Sequence, residues 1–171
     1  MPQVTDIPLV ITLKIDEPSQ LFFDKQRTAH FPPHANYVPA HITLFHKLPA
    51  GNPAIENGLI VFAKHPAFEL NVTDIILQKT SVAYSIQSKT LQQIHAQMQQ
   101  TFEPYLIRND RKILTPHTTI QNKVTAYKAY KTHAFLIADF KPFMVQALGY
   151  TSWYYVKGYW EKRQEYLFGR K

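Results

Sequence analysis

The sequence predicts an α+β protein built by internal duplication, and two regularities indicate this fold class. A seven-residue segment occurs twice, at 41–47 and at 117–123, with the shared pattern His-x-Thr-(Leu/Ile)-x-x-Lys followed by an apolar residue. Each copy lies at the same place in a repeated order of strand, helix, motif strand, helix and strand. From the first residue of the opening strand to the motif histidine there are 32 residues in one half (Leu9 to His41) and 35 in the other (Val82 to His117). We therefore expect two similar α+β units in one chain.

Local signals define the elements of the first half. Leu9–Ile15 is short and rich in β-branched residues, which is typical of a strand. Asp16 caps a helix that has Pro18 in its first turn, where the missing N–H costs nothing, and two consecutive prolines at 32–33 place a loop after that helix. The predicted elements are strand 9–15, helix 16–29, motif strand 37–48, helix 52–65 and strand 68–77.

The second half repeats this order and adds a hairpin. Ser88 or Thr90 caps a helix whose apolar residues fall at helical spacing: Leu91, Ile94, Met98 and Phe102. Thr125 caps another helix, whose buried stripe is predicted to be Tyr127, Tyr130, Ala134 and Ile137. The remaining predicted elements are strand 82–86, motif strand 113–124 and strands 143–156 and 159–168. Lobe one thus covers about 1–78 and lobe two about 79–142, and the C-terminal hairpin 143–171 completes the sheets.

Composition narrows the classes of function. The chain has 171 residues, of which 45% are hydrophobic and 13% aromatic, so it forms one folded domain with a buried core. Its net charge of +7 favours RNA, nucleotides or anionic lipid as partners, although ordinary basic proteins share this balance. The absence of cysteine excludes disulfides, thiolate nucleophiles and cysteine-based metal sites. The apolar run 7–13 is too short to span a membrane, so we expect a cytoplasmic protein.

The two motif histidines are the candidate catalytic groups. Side chains alternate along a strand, so His41, Thr43, Phe45 and Lys47 should share one face of the first motif strand. If the halves are related by a pseudo-two-fold axis, both histidines point into one cleft, each with a threonine hydroxyl two residues on. Histidine has a reference pKa of about 6.5 and can serve as either acid or base near neutral pH.

Several other residues are candidates for substrate binding, each with a plainer alternative. Lys47 and Lys123 could anchor phosphate or simply keep the strand ends soluble. Arg111 lies in the basic loop 108–112, which could contact phosphate or be solvated. Tyr150 and Trp153 belong to an aromatic-rich hairpin that could stack a base or fill the core.

The remaining histidines are expected to be structural. His46 should face away from the motif set, and His95 and His133 should be hydrogen-bonded surface groups on helices. His30 and His34 have a spacing that occurs in metal sites, but the prolines between them and the lack of a third ligand argue against one. The sequence therefore predicts neither a metal nor a cofactor.

The two motifs, His41-Ile42-Thr43-Leu44 and His117-Thr118-Thr119-Ile120, resemble the paired His-x-Thr/Ser-apolar motifs of the two-histidine phosphoesterase superfamily. The chain is most similar to the branch of 2′-5′ RNA ligases and cyclic phosphodiesterases. Thr118 departs from the family's apolar preference, and it should face the core side of its strand. The resemblance implies a bilobal fold in which two antiparallel sheets flank a central cleft, with the helices outside.

The resemblance also implies metal-independent chemistry on 2′,3′-cyclic or 2′-5′ phosphodiesters. The expected substrate is an RNA end or a nucleotide with a cyclic phosphate, and the expected state is a monomer. Opening the ring requires a base for water, assigned to His117, and an acid for the leaving ribose oxygen, assigned to His41, while the Thr43 and Thr119 hydroxyls stabilise the phosphate oxygens. With a 5′-hydroxyl in place of water, the same site would join RNA ends. The alternatives are a non-catalytic RNA- or nucleotide-binding module and a phosphodiesterase for a small cyclic nucleotide.

Overall fold

The computed structural model describes residues 7–169, which form seven strands, four α-helices and three short 3₁₀ helices. The element order strand-helix-strand-helix-strand occurs twice and is followed by one further strand. The strands are β1 (Pro8–Ile15), β2 (Thr43–Pro49), β3 (Phe68–Gln78), β4 (Ser81–Gln87), β5 (His117–Gln121), β6 (Phe143–Val156) and β7 (Tyr159–Leu167). The helices are α1 (Glu17–His30), α2 (Pro53–Phe62), α3 (Lys89–Phe102) and α4 (Ala126–Ala138).

All strand pairs are antiparallel, in the order β2-β1-β6-β3-β4-β5, with β7 on β6. The long strand β6 connects two groups of strands. It pairs with β3 through Phe143–Ala147, and its later part lies between β1 and β7. The expected α+β class is confirmed, and the two groups of strands are joined through β6 into one sheet.

The helices begin where their capping residues predict. The Asp16 carboxylate accepts hydrogen bonds from the Ser19 N–H at 2.9 Å and the Gln146 N–H at 2.7 Å, so the cap of α1 also attaches this helix to β6. Burial opposes ionisation of Asp16, but these hydrogen bonds lower its pKa overall. Ser88, rather than Thr90, caps α3 by accepting from the Leu91 N–H at 3.1 Å.

The buried stripe of α3 is confirmed, whereas the stripe predicted for α4 is wrong. Leu91, Ile94, Met98 and Phe102 are all buried. On α4 the buried residues are Ala129 and Thr132, and the four predicted positions are exposed. Small side chains let α4 approach β3 and β4 closely, which turns its large aromatic side chains outward. Hydrophobicity at helical spacing therefore indicated the wrong face.

The motif strands are shorter and less regular than predicted. His41 precedes β2, which begins at Thr43, and β5 begins at His117. The register between β1 and β2 shifts twice, because Leu9 pairs with Leu48, Ile11 with Phe45 and Thr12 with Thr43. Such bulges interrupt the alternation of side chains. Phe45 is consequently buried in the core, and the predicted shared face of His41, Thr43, Phe45 and Lys47 does not form.

No helix among residues 7–169 has both the length and the apolar character needed to cross a membrane.

Candidate active site

The two motif histidines make the same hydrogen bond. His41 Nδ1 lies 2.8 Å from the carbonyl oxygen of Pro39, and His117 Nδ1 lies 2.8 Å from that of Thr115. A carbonyl can only accept, so Nδ1–H is the donor in both rings. In the neutral ring, Nε2 is then the proton acceptor. The bond fixes one tautomer and orients each ring from a carbonyl two residues earlier.

One cavity of about 380 Å³ brings the two motifs together. His41, Thr43, His117 and Thr119, the four predicted catalytic residues, all lie in its wall. They come from opposite ends of the strand order, since β2 and β5 are the edge strands of the main path. The rest of the wall comprises Leu44, His46, His95, Asn109, Asp110, Lys112, Ile113, Leu114, Thr115 and Trp160.

The pKa of His41 is lowered to about 4, first of all because burial penalises the charged ring. The carbonyl of Pro39 opposes this shift, while positive charge at Arg27, His117 and His46 adds to it. His41 is therefore neutral at pH 7 in the free protein. Its ring also lies 4.5 Å from that of Trp160, centroid to centroid.

Arg27 is a buried cation beside the motifs. Its Nη1 donates to the carbonyl oxygen of Thr119 at 2.9 Å, its Nε donates to Asn36 Oδ1 at 3.1 Å, and the guanidinium lies 4.1 Å over the Phe31 ring. Within residues 7–169 no carboxylate lies within ion-pair distance of it, although the charge of Asp24 opposes the lowering of its pKa by burial. A buried charge without a contacting counterion is costly, so this position favours an anion nearby. No sequence pattern distinguished Arg27 from the other cations on α1 and its flanks.

His46 lies in the wall of the cavity, and the prediction that it faces away from the motif set is wrong. The buried Asp110 carboxylate accepts from the His46 N–H at 2.9 Å, from His46 Nδ1 at 2.8 Å and from the Lys47 N–H at 3.0 Å. The bulges of β2 and this carboxylate together set the direction of His46. Asp110 itself comes from the loop that the sequence marked only as basic.

His95 is buried, so its prediction as a surface group is also wrong. Its Nε2 lies 2.9 Å from the carbonyl oxygen of Leu44, to which Nε2–H donates, and its ring stacks on Phe45 at 4.8 Å between centroids. Burial lowers its pKa. His133 is hydrogen-bonded as expected, with Nε2 2.9 Å from the carbonyl oxygen of Ile75.

Of the five predicted binding residues, Lys123 is the one that shares a groove with His41 and Thr119. This groove shares His41, Thr119 and Trp160 with the edge of the cavity at the motifs. Trp153 lines a larger neighbouring cavity, and its Nε1–H donates to Thr12 Oγ1 at 2.9 Å.

The other three predicted binding residues lie elsewhere. Lys47 lines a separate surface depression with Tyr105, and Arg111 is ion-paired with Glu103. Tyr150 is completely buried, so the prediction that it contacts substrate is wrong. Its ring packs edge-on against Phe168 in the core, and burial raises its pKa. Trp160, which the sequence placed in the same hairpin, is the tryptophan that borders the motifs.

Metal-ligating side chains are not grouped in threes anywhere in residues 7–169. The cavity instead offers the imidazoles of the two motifs, which have the same tautomer, the threonine side chains of the two motifs and adjoining cationic groups. Imidazoles can exchange protons with a reacting oxygen, and hydroxyls and cations can stabilise a phosphate. The arrangement thus suits acid/base chemistry on an anionic ester.

An antiparallel α+β fold with a His-x-Thr motif from each half is the arrangement of the two-histidine phosphoesterases. The profile of the 2′-5′ RNA ligase superfamily matches residues 15–151, which is most of the chain. The chain belongs to this superfamily. No curated protein sequence matches it significantly.

Solved structures are similar to this protein over nearly the whole chain. Escherichia coli LigT complexed with 3′-AMP is 16% identical, has a TM-score of 0.59 and aligns over 96% of this chain and 99% of LigT. LigT complexed with ATP is 17% identical with a TM-score of 0.56, over 96% and 100% of the two chains. TT0787 of Thermus thermophilus is 14% identical with a TM-score of 0.67, over 95% and 98%. At identities this low, the likeness establishes the fold.

Proposed function

We propose that this protein is a metal-independent phosphodiesterase that opens 2′,3′-cyclic phosphodiesters of RNA ends or nucleotides to 2′-phosphates. The observation that carries the proposal is the matched pair of hydrogen bonds from Nδ1 of His41 and of His117. Each bond leaves Nε2 as the ring nitrogen that can exchange a proton, and both rings line one cavity with Thr43 and Thr119. Membership of the 2′-5′ RNA ligase superfamily supports the choice of substrate.

The reaction requires two proton transfers around one phosphorus atom. The base, His117, takes a proton from water as the water oxygen bonds to phosphorus. The bond from phosphorus to the ribose 3′-oxygen breaks, and the acid, His41, protonates that oxygen. The Thr43 and Thr119 hydroxyls donate to the non-bridging oxygens. With a 5′-hydroxyl in place of water as the nucleophile, the same ring opening forms a 2′-5′ linkage.

To act as the acid, His41 must be protonated when the substrate is bound. Burial keeps its pKa near 4 in the free protein, and a neutral ring cannot donate the required proton from Nε2. A bound phosphodiester brings a negative charge to the cavity, which stabilises the imidazolium. We therefore propose that His41 takes up a proton as the substrate binds. If it stays neutral in the complex, the two histidines have the opposite roles.

Nearby positive charge supports an anionic substrate. Arg27 is buried without a carboxylate partner in the described part of the chain, and Lys112 and Lys123 border the cavity and the adjoining groove. LigT, which shares the fold, has been crystallised with 3′-AMP and with ATP. Nucleotides of the same class are the substrates that we propose for this chain.

The test is an incubation with a nucleoside 2′,3′-cyclic phosphate in the presence of EDTA, comparing wild type, His41→Ala, His117→Ala and His34→Ala. His34 is exposed and lines none of the cavities at the motifs, so it is the matched control. We expect wild type and His34→Ala to form the 2′-phosphate, and each motif variant to lose about 10²- to 10⁴-fold in rate while remaining folded. Full activity in either motif variant, or activity abolished by EDTA, would contradict the proposal. Binding of RNA without conversion would indicate a binding module instead.

A further inference from the structure

Two openings adjoin the cavity at the motifs, which we call the catalytic cavity, and His41 lines both of them. The first, which we call the outer cavity, has a volume of about 580 Å³ and lies along α1, β1 and β7. The second, which we call the aromatic groove, has a volume of about 260 Å³ and lies between the loop after α1, the end of β5 and the turn before β7. Both offer a path for a strand that extends beyond the nucleotide in the catalytic cavity.

The charges of the two openings differ. The outer cavity carries three carboxylates, Glu17, Asp24 and Glu165, against two lysines, Lys14 and Lys162. Lys14 and Lys162 are both ion-paired with Glu165, so their charges are already compensated.

The aromatic groove has the opposite character. It is lined by Arg27 and Lys123 and by no carboxylate. Each nucleotide of a strand adds one negative charge, so the aromatic groove is the electrostatically favourable exit for RNA.

The aromatic groove also offers rings on which a base can stack. Trp160 lies against His41 at the inner end, and the preceding residue, Tyr159, pairs with Tyr37 at 5.5 Å between centroids. Tyr37 and Tyr159 are 58% and 61% exposed, so their ring surfaces are not used by the core. Exposed aromatic side chains beside a cationic track are the recurring features of proteins that bind single strands.

Two lysines at the rim adopt a backbone conformation that lysine rarely takes. Lys123 has φ of 58° and Lys157, adjacent to the groove residue Gly158, has φ of 49°. Glycine or asparagine would adopt these left-handed positions at lower cost. Lysine at both points adds positive charge to the exit of the aromatic groove.

We propose that an RNA strand whose end occupies the catalytic cavity leaves through the aromatic groove, and that the nucleotide next to the terminal one stacks on Tyr37 and Tyr159. This inference rests on the proposed function, which already includes RNA ends as substrates, and adds the path of the strand and the residues that bind it. Lys123 contacts a phosphate of the strand. The outer cavity does not carry the strand.

The test compares two substrates, a nucleoside 2′,3′-cyclic phosphate and a pentaribonucleotide ending in a 2′,3′-cyclic phosphate. The readout is the ratio of kcat/KM for the pentanucleotide to that for the mononucleotide. We expect wild type to prefer the pentanucleotide, and Tyr37→Ala/Tyr159→Ala to lower the ratio about tenfold or more, since stacking on aromatic rings dominates such binding. Lys123→Asn keeps a residue that tolerates the left-handed backbone at this position. It should make the slope of log Kd for the pentanucleotide against log salt concentration shallower by the amount that corresponds to about one phosphate contact.

The matched control is Tyr127→Ala/Tyr130→Ala on α4. These tyrosines are 70% and 59% exposed and border neither opening. The control should leave the ratio unchanged. A wild-type ratio near one, an unchanged ratio in Tyr37→Ala/Tyr159→Ala, or an equal fall in the control would overturn the inference.

A second readout separates this inference from the proposed function. Fluorescence anisotropy measures the affinity for a labelled pentaribonucleotide with a 3′-phosphate, which needs no turnover. In one outcome, wild type converts neither substrate but binds this RNA, and only the Tyr37→Ala/Tyr159→Ala variant loses about tenfold in affinity. That result would support the aromatic groove as the RNA-binding site and contradict the proposed phosphodiesterase activity. If wild type converts the mononucleotide but neither double tyrosine variant changes the RNA affinity, the phosphodiesterase activity is supported and the assignment of the aromatic groove is contradicted.

Discussion

Arg27 on α1 donates a hydrogen bond from Nη1 to the carbonyl oxygen of Thr119, at 2.9 Å, and so connects a helix of the first half to the second motif strand. The two residues are 92 positions apart in the chain. The same guanidinium adds positive potential at His41. One side chain thus both positions the second motif and contributes to the charge of the site.

Replacing Arg27 should weaken binding of anionic substrates. We expect Arg27→Met to raise KM for a nucleoside 2′,3′-cyclic phosphate about ten- to a hundredfold, because a charged hydrogen-bonding group is lost next to the phosphate. Arg27→Lys should recover part of this loss, since lysine keeps the charge but not the two directed hydrogen bonds. Arg163→Met is the control: Arg163 on β7 is ion-paired with Glu56 and lines none of the cavities at the motifs. An equal rise in KM for the Arg163 variant would indicate a general loss of structure.

Wild type should lose stability relative to His41→Gln as the pH falls from about 6.5 to about 4. The pKa of His41 is about 4 in the folded protein and about 6.5 in the unfolded chain, so between these values only the unfolded chain binds the proton. Above pH 6.5 the ring is neutral in both states and contributes no pH dependence. Because the ring is partly exposed, we expect a differential loss of about 2 kcal/mol, measured by urea unfolding at pH 7.5 and pH 4.5. Parallel pH profiles for the two proteins would contradict the lowered pKa.

The pKa of His41 should rise when a nucleoside 2′-phosphate binds. The ligand's negative charge favours the imidazolium, which the acid role of His41 requires. NMR titration of the His41 Cε1–H resonance, assigned with His41→Gln, measures the pKa with and without ligand. A pKa that stays near 4 in the complex would assign the base role to His41 and the acid role to His117.

Asp110→Asn should destabilise the protein by about 2 kcal/mol. The buried carboxylate accepts from the His46 and Lys47 N–H groups and from His46 Nδ1, and an amide cannot accept all three bonds. Urea unfolding at pH 7 provides the measurement. Asp139→Asn, at an exposed position after α4, should change stability by less than about 0.5 kcal/mol. Equal effects of the two substitutions would mean that the Asp110 network contributes little.

Gly58→Ala should destabilise α2, although alanine is the better helix former by about 1 kcal/mol. A Cβ at Gly58 would lie 2.5 Å from the Phe102 ring, which is fully buried and packed against Phe45. Overpacking of this kind costs about 1–3 kcal/mol. In the Phe102→Leu background the same substitution should cost less, because the smaller side chain leaves room. A double-mutant cycle by urea unfolding measures this coupling, and strictly additive effects would argue against the contact.

Sequence patterns predicted most elements because their signals are local. Asp16, Asn52, Ser88 and Thr125 each cap a helix through a backbone N–H two or three residues away. The apolar stripe of α3 is likewise set within one helix. The stripe of α4 could not be predicted this way, because the burial of the small residues Ala129 and Thr132 depends on how closely the helix approaches the sheet.

The repeated order of elements and the pair of His-x-Thr motifs depend on residues a few positions apart, so both can be predicted without the fold. The surroundings of the motifs depend on the tertiary structure. Arg27, His46, Asp110 and Trp160 reach the site through strand pairing, bulges and hydrogen bonds between residues that are distant in the chain. The hairpin pattern made Tyr150 a candidate for substrate binding and did not single out Trp160, yet Tyr150 is enclosed in the core and Trp160 lies against His41. The alternation of side chains along a strand predicts only that neighbouring residues face opposite sides of the sheet. The packing of the whole sheet determines which side is the core and which is the cavity.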